Sequence, residues 1–233
     1  MLGSSISFNS VLLGAFALVT AGIVAITFQS TYEKIDESKL RAAQAALYEI
    51  IPEEKIDNDL FNDTIDIPED YREFLGLTAS ADTDKKIHIA KKNDIPFAAI
   101  IPTTAPEGYS GPIKMIIGIN KDGTIAGVRV TDHNETPGLG DYVDIRKSNW
   151  VLSFNGKSLG SRFDTKTTVK RPDSSEKLPE ENFDQLTGAT ITRTAVIRQI
   201  KKTLSFYQIA QPLDIYMTET PGTNIEETNT HIN

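Results

Sequence analysis

From Met1 to Thr31 no side chain is charged, and the run VLLGAFALVTAGIVAITF, Val11 to Phe28, is almost wholly apolar. About twenty such residues in a helix cross a hydrocarbon core of roughly 30 Å, so this segment predicts a membrane-spanning helix. A cleaved secretory signal fits less well. No basic stretch precedes the apolar run, the run is long for a signal, and no A-x-A site follows it. Ala17, Ala21 and Ala25 recur at four-residue spacing, a stripe suited to helix–helix contact. Beyond the span, EKIDESKLRAAQAALYEII places Ile35, Leu40, Ala43 and Leu47 on one helical face, and Pro52 stops the pattern. Residues 53 to 82 read as acidic and loop-rich. Short strand patterns follow in KKIHIAKK, PFAAIIP and IKMIIGIN. The turn KDG, Lys121 to Gly123, then joins Ile113–Asn120 to Thr124–His133 as a hairpin.

The pattern changes again after His133. ETPGLGD, Glu135 to Asp141, is a tight glycine-proline loop, and DIRKSNWVLSF predicts a helix behind it. A polar stretch runs from about Asn155 to Asn182. A last helix is predicted to open near Thr190, with Val196, Ile200, Leu204 and Tyr207 on its apolar face. Beyond Pro212 the chain is polar and poor in bulky residues. The expected organisation is an anchor over 1–29, a helical connector over 30–52, a folded domain over 53–212 and a flexible tail over 213–233. Alternating and continuous apolar strands with helices at either end make this α+β, an antiparallel sheet with flanking helices, rather than a doubly wound sheet.

Composition narrows the chemistry. The 233 residues carry a formal net charge of -8, which argues against nucleic acid as a partner. There is no cysteine, so this chain supplies no disulfide, thiolate-held cluster or thiol nucleophile. His88, His133 and His231 lie far apart without metal-ligand spacing, and no protein-held metal is expected. No residue is assigned as a catalytic acid, base or nucleophile. The predicted span lacks ionisable groups, so an ion path through it is not expected. Lys34, Lys39 and Arg41 follow the span, and a positive-inside count places the domain in the cytoplasm.

One stretch stands apart. DQLTGATIT, Asp184 to Thr192, gathers three threonines about a Gly-Ala step at the expected mouth of the last helix. Thr187 or Thr190 there could simply cap free N–H groups. The same place also attracts a phosphate, through unpaired N–H groups and the helix dipole, and Gly188 allows close approach. A threonine without an adjacent base is a poor nucleophile, so a covalent bond at Thr190 needs a separate enzyme to make it.

These residues resemble the motif D-x-x-[ST]-G-A-[TS] of the FMN-binding domain family. With the N-terminal span, HNETPGLGD, SNWVLSFNGK and FDQLTGATITRTAVIRQIKK in order, the chain resembles the G-subunit family of the Rnf ion-translocating electron-transport complex. The C subunit of the sodium-pumping NADH:quinone reductase shares the general pattern. The polar stretch before Phe183 is longer and more acidic than that family pattern. The resemblance implies FMN esterified through its phosphate to Thr190 by a flavin transferase, with Asp184, Thr187, Gly188 and Ala189 completing the seating motif. It implies that Glu135, Thr136, Gly138, Leu139 and Gly140 lie against the flavin ring. It further implies other membrane and peripheral Rnf subunits as partners, and an anchor in the inner-membrane lipid with the flavin domain on the extracytoplasmic side. Ferredoxin and NAD redox chemistry would then be coupled to Na⁺ or H⁺ movement. A membrane-anchored flavin sensor and a non-redox scaffold are the competing classes. His133 is expected at a solvent-facing strand end, Trp150 in the core, and Tyr142 beside the loop.

Overall fold

A computed structural model describes residues 2–78, 85–163 and 183–219, with side chains given for most of them. The chain divides into two compact units, Met1–Ala45 and Ala46–Asn233. The first is helical: α1 runs Leu2–Ile50, and its stretch Phe8–Tyr32 is long and apolar enough to cross a membrane. Those 25 residues rise about 37 Å as a helix, more than a hydrocarbon core of roughly 30 Å. Their large side chains, among them Phe16, Leu18 and Ile26, are exposed. Thr20, Thr27, Ser30 and Thr31 turn their hydroxyls back onto carbonyls three or four residues earlier. This meets the hydroxyls' hydrogen-bonding needs within the helix itself.

The second unit is built on a five-stranded antiparallel meander in the order β1-β2-β3-β4-β5. Its strands are β1 (Thr64–Asp66), β2 (Lys86–Lys92), β3 (Ile95–Ala105), β4 (Ile113–Asn120) and β5 (Ile125–Asp132). The expected hairpin of β4 and β5 is present, turning at Gly123 with φ +80°; Asp122 Oδ1 accepts from both Thr124 N–H and its hydroxyl. Between β2 and β3 the chain reverses in two residues, Asn93 and Asp94, both at positive φ, the backbone that matches strand twist in a hairpin. In the loop-rich region after Pro52, a short helix α2 (Glu69–Arg72) and edge strand β1 add to the expected strands.

Helices cover both faces of the sheet, which explains why β3 reads as a continuous apolar run. Ala99, Ile101 and Ala105 join the main core with Val196, Ile200 and Leu204 of α3 (Phe183–Ala210), and with Trp150, Val151 and Phe154. Ala98 and Ile100 face the other way, into a second cluster with Leu47, Ile50 and Ile51 at the end of α1. Each fully buried leucine or isoleucine contributes about 1.5–3 kcal/mol. Of the residues expected on one connector face, Leu47 is buried and Ala43 exposed, while the side chains of Ile35 and Leu40 lie outside the described residues.

The end of α1 sits close to the sheet because two cross-strand partners, Gly118 and Gly127, have no side chains. A Cβ on Gly118 would overlap Ile50 Cγ2, and one on Gly127 would lie 3.2 Å from it. Beside this notch buried Arg129 donates from Nε to Glu49 Oε2 at 2.8 Å and from Nη2 to the Glu49 carbonyl at 3.1 Å.

Two expected boundaries change. The segment DIRKSNWVLSF forms turns and a single 3-10 stretch, Trp150–Phe154, not an α-helix. It stops there because the chain is drawn onto the start of β5. Gly156 N–H donates to the Ile125 carbonyl and Ile125 N–H to the Lys157 carbonyl, both at 2.8 Å, with Gly156 at φ +75°. The folded domain also extends past residue 212: α4 (Pro212–Glu219) buries Leu213 and Tyr216, and Tyr216 Oη accepts a hydrogen bond from Lys91 Nζ at 3.0 Å. The tail expected from 213 therefore starts no earlier than residue 220, outside the described residues.

Replacing Gly118 with valine is expected to cost about 1–3 kcal/mol, because the β-branched Ile50 cannot swing aside. Denaturant unfolding of the detergent-solubilised protein should show an earlier midpoint; an unchanged one would mean that the helix end relocates freely.

Candidate functional site

The site is assembled around one buried carboxylate. Glu135 closely follows β5 and is only 5% exposed. Its Oε1 accepts the Ser110 N–H at 3.0 Å, from the loop between β3 and β4. Its Oε2 accepts the Thr192 hydroxyl at 2.7 Å, from α3. Its own N–H donates to His133 Nδ1 at 3.1 Å. Three chain segments distant in sequence thus meet at one side chain. The fit is tight: a Cβ on Gly108 would come within 2.9 Å of Glu135 Oε1, and one on Gly140 would overlap Oε2.

The loop that Glu135 opens closes on itself. Leu139 and Gly140 N–H groups donate to the Thr136 carbonyl at 3.1 and 3.2 Å, and Gly138 N–H donates to Asp141 Oδ1 at 2.8 Å. Gly138 takes φ +81°, a backbone that suits glycine. The result leaves Thr136, Pro137 and Gly138 exposed at the surface, Leu139 half-buried and Gly140 buried.

Behind the loop lies a second polar brace. Buried Asp144 accepts from Arg146 Nε at 2.9 Å and Nη2 at 2.6 Å, and His133 Nε2 lies 3.9 Å from its Oδ2. Burial works to raise the Asp144 carboxyl, but the Arg146 hydrogen bonds and charge, helped by His133, outweigh it and hold it below the usual carboxylate value. His133 is therefore part of this brace, not a solvent-facing strand end. Ser148 Oγ donates to the Tyr142 carbonyl at 2.6 Å and accepts the Trp150 N–H at 3.2 Å, seating the indole in the core as the sequence leads one to expect. Tyr142 is half-buried beside it.

The last helix departs from expectation. It begins at Phe183, so Thr190 is its eighth residue. Only the first four N–H groups of an α-helix lack partners, so helix-end amides do not adjoin Thr190. Gly188 inside a helix costs only about 1 kcal/mol against alanine, too little to stop it there. Asp184, Thr187, Gly188 and Ala189 lie on this first part of α3, and their side chains are outside the described residues. Thr190 is exposed, Ile191 is 42% exposed, and Thr192 is fully buried on Glu135. At about 100° per residue, burying Thr192 turns Thr190 outward.

Arg193 follows Thr190 by three residues, the spacing that puts helical side chains side by side. Its guanidinium lies over the Trp150 ring, 5.7 Å from the centroid. Trp150 Nε1 is buried and finds no hydrogen-bond acceptor among the described residues. An exposed hydroxyl, a neighbouring cation and an orphaned donor fit the phosphate end of a flavin mononucleotide. Sequence reasoning missed Ser110, Thr192 and Arg193. The glycines of EGYSGP, Gly108 and Gly111, were the available signal for the first.

Residues 108–205 match the FMN-binding domain model, and residues 1–50 match the RnfG N-terminal region. The G subunit of the ion-translocating oxidoreductase complex of Shewanella loihica is 40% identical over 207 residues, 89% of this chain and 92% of that protein. Its counterpart of the same name from Shewanella piezotolerans is 42% identical over 206 residues, 88% of this chain and 91% of its own. That of Vibrio cholerae is 39% identical over 200 residues, covering 85% and 88%.

Two outcomes follow from the geometry. Thr192→Val keeps the shape but removes the hydroxyl donor from buried Glu135, and should lower unfolding stability by about 1.5–3 kcal/mol. The Asp144 brace has a depressed folded pKa, so its stabilisation is complete above about pH 5. It begins to fade near the unfolded value of about 3.9 and disappears below the lower folded value. An acid unfolding series should therefore be less steep in Asp144→Asn than in the parent protein.

Proposed function

Because this chain belongs to the family of G subunits of the ion-translocating oxidoreductase complex, we propose that it is the FMN-bearing electron-transfer subunit of such a complex. When bound, FMN accepts and passes electrons singly or in pairs; the protein supplies seat, orientation and electrostatics. The observation that carries this reading is the pairing of an FMN-binding domain match with an exposed Thr190 on α3, two residues from the Thr192 that holds Glu135.

In this reading Thr190 carries the flavin as a phosphoester, made by a dedicated flavin transferase. Attachment through the phosphate leaves the ring system chemically unmodified and serves retention. Glu135 acts by shaping the loop, since both its oxygens are engaged within the protein. Thr136, Gly138, Leu139 and Gly140 offer the loop surface to the ring, Leu139 through its half-buried apolar side chain. Asp184, Thr187, Gly188 and Ala189 form the sequence that the transferase recognises.

The apolar part of α1 anchors the protein once in the bacterial inner membrane, among lipid and the other membrane and peripheral subunits. The flavin domain faces the periplasm, where a cofactor lost by dissociation could not readily be replaced. Electrons enter and leave through partners in a complex that links ferredoxin and NAD chemistry to Na⁺ or H⁺ movement. The chain itself contains no cysteine to hold a cluster.

The test is denaturing electrophoresis of protein made in cells that possess the transferase. A band fluorescent under ultraviolet light is expected from the parent protein and none from Thr190→Ala. A band that survives the substitution would place the attachment elsewhere. Intact mass showing only bare polypeptide, with no flavin absorbance, would favour a scaffold instead.

A further inference from the structure

An anion held at Thr190 gains from a fixed counter-charge close by, and the helix end does not supply one. With α3 starting at Phe183, the unpaired N–H groups and the positive pole of the dipole lie at the first turn, away from Thr190. A fixed counter-charge at Thr190 is then the work of a side chain.

We infer that Arg193, lying on the Trp150 indole, is the cation that receives the phosphate attached at Thr190, with the indole Nε1–H as a second donor. The inference rests on the reading of Thr190 as the attachment site and specifies what binds the phosphate there. Three observations carry it. Arg193 is one turn beyond Thr190 on the same side of α3, close enough for a guanidinium to reach an oxygen on the preceding turn. The Trp150 ring fixes where that guanidinium lies, and Ser148 fixes the Trp150 backbone. The Nε1 donor is buried without an acceptor among the described residues, and a phosphate oxygen would supply one.

Burial also pushes the Arg193 guanidinium down from its ordinary value, with Tyr142 opposing. A phosphodiester carries a single negative charge, and drawing it to this cation offsets the cost of partial burial. A planar fork suits two phosphate oxygens better than an ammonium would.

The experiment uses the full chain co-expressed with the transferase, as parent, Arg193→Lys and Arg193→Gln. Attached flavin is followed by intact mass at limiting transferase, and the phosphodiester by ³¹P NMR of the flavin-loaded protein. Arg193→Gln should slow attachment about tenfold, the size of one charged hydrogen bond. It should also move the ³¹P resonance, with Arg193→Lys between the two. Near-ultraviolet circular dichroism identifies any variant that has lost its fold, and Arg193→Lys then carries the comparison. Parent-like attachment and an unmoved resonance in a folded variant would overturn the role of Arg193 while leaving the attachment site intact. A parent protein without flavin at Thr190 would overturn the underlying reading, and this inference with it.

Discussion

A carboxylate sealed away from water cannot be left without donors, and Glu135 is 5% exposed. It takes one donor from the β3–β4 loop through Ser110 and another from α3 through Thr192. The cost of losing either is what keeps the three segments together. With Thr192 committed inward, helical periodicity turns Thr190 out to the surface. With Glu135 committed to the protein, the following residues fold into a short loop against Gly140. The candidate site is therefore the outer surface of a hydrogen-bonded joint.

The rest of the domain supports that joint from two sides. On one face of the sheet, α3 packs through Val196, Ile200 and Leu204, which keeps Thr192 at its depth. Gln199 donates to Thr103 Oγ1 at 2.6 Å, and Thr103 donates to the Leu75 carbonyl at 2.9 Å, a buried polar chain that fixes α3 along β3. On the other face, the last turn of α1 seats Ile50 over Gly118 and Gly127 and is tied by Arg129. An electron carrier benefits from such rigidity, because its cofactor must be presented in one orientation to its partners.

In the proposed site, the charge at Thr190 is met by a side chain more than by the backbone. Helix-end amides were the obvious source of an anion site in TGAT, and a helix that begins at Phe183 moves them away. Near Thr190 stands Arg193, over an indole whose Nε1 finds no acceptor among the described residues. A fixed side-chain cation and a helix dipole differ in one respect that matters here. The former can be positioned by the core, and this one is.

Much was legible in the order of residues because local pattern determines it. A charge-free apolar stretch, a KDG turn between alternating runs, and apolar residues at helical spacing in Val196–Tyr207 specify a span, a hairpin and a core helix through short-range sterics and burial alone. The paired motifs ETPGLGD and TGAT pointed to the candidate site by resemblance, before any geometry. Tertiary structure decided what depends on contacts between distant residues. It determined that Glu135 faces inward to Ser110 and Thr192, that Trp150 to Phe154 winds as a tight turn, and that Leu213 and Tyr216 still pack. Gly188, which reads as a boundary in the sequence, lies inside α3, because its cost of about 1 kcal/mol is too small to end the helix. A buried carboxylate has no signature in the chain's periodicity; its partners lie 25 and 57 positions away and meet it only when the sheet and helix close together.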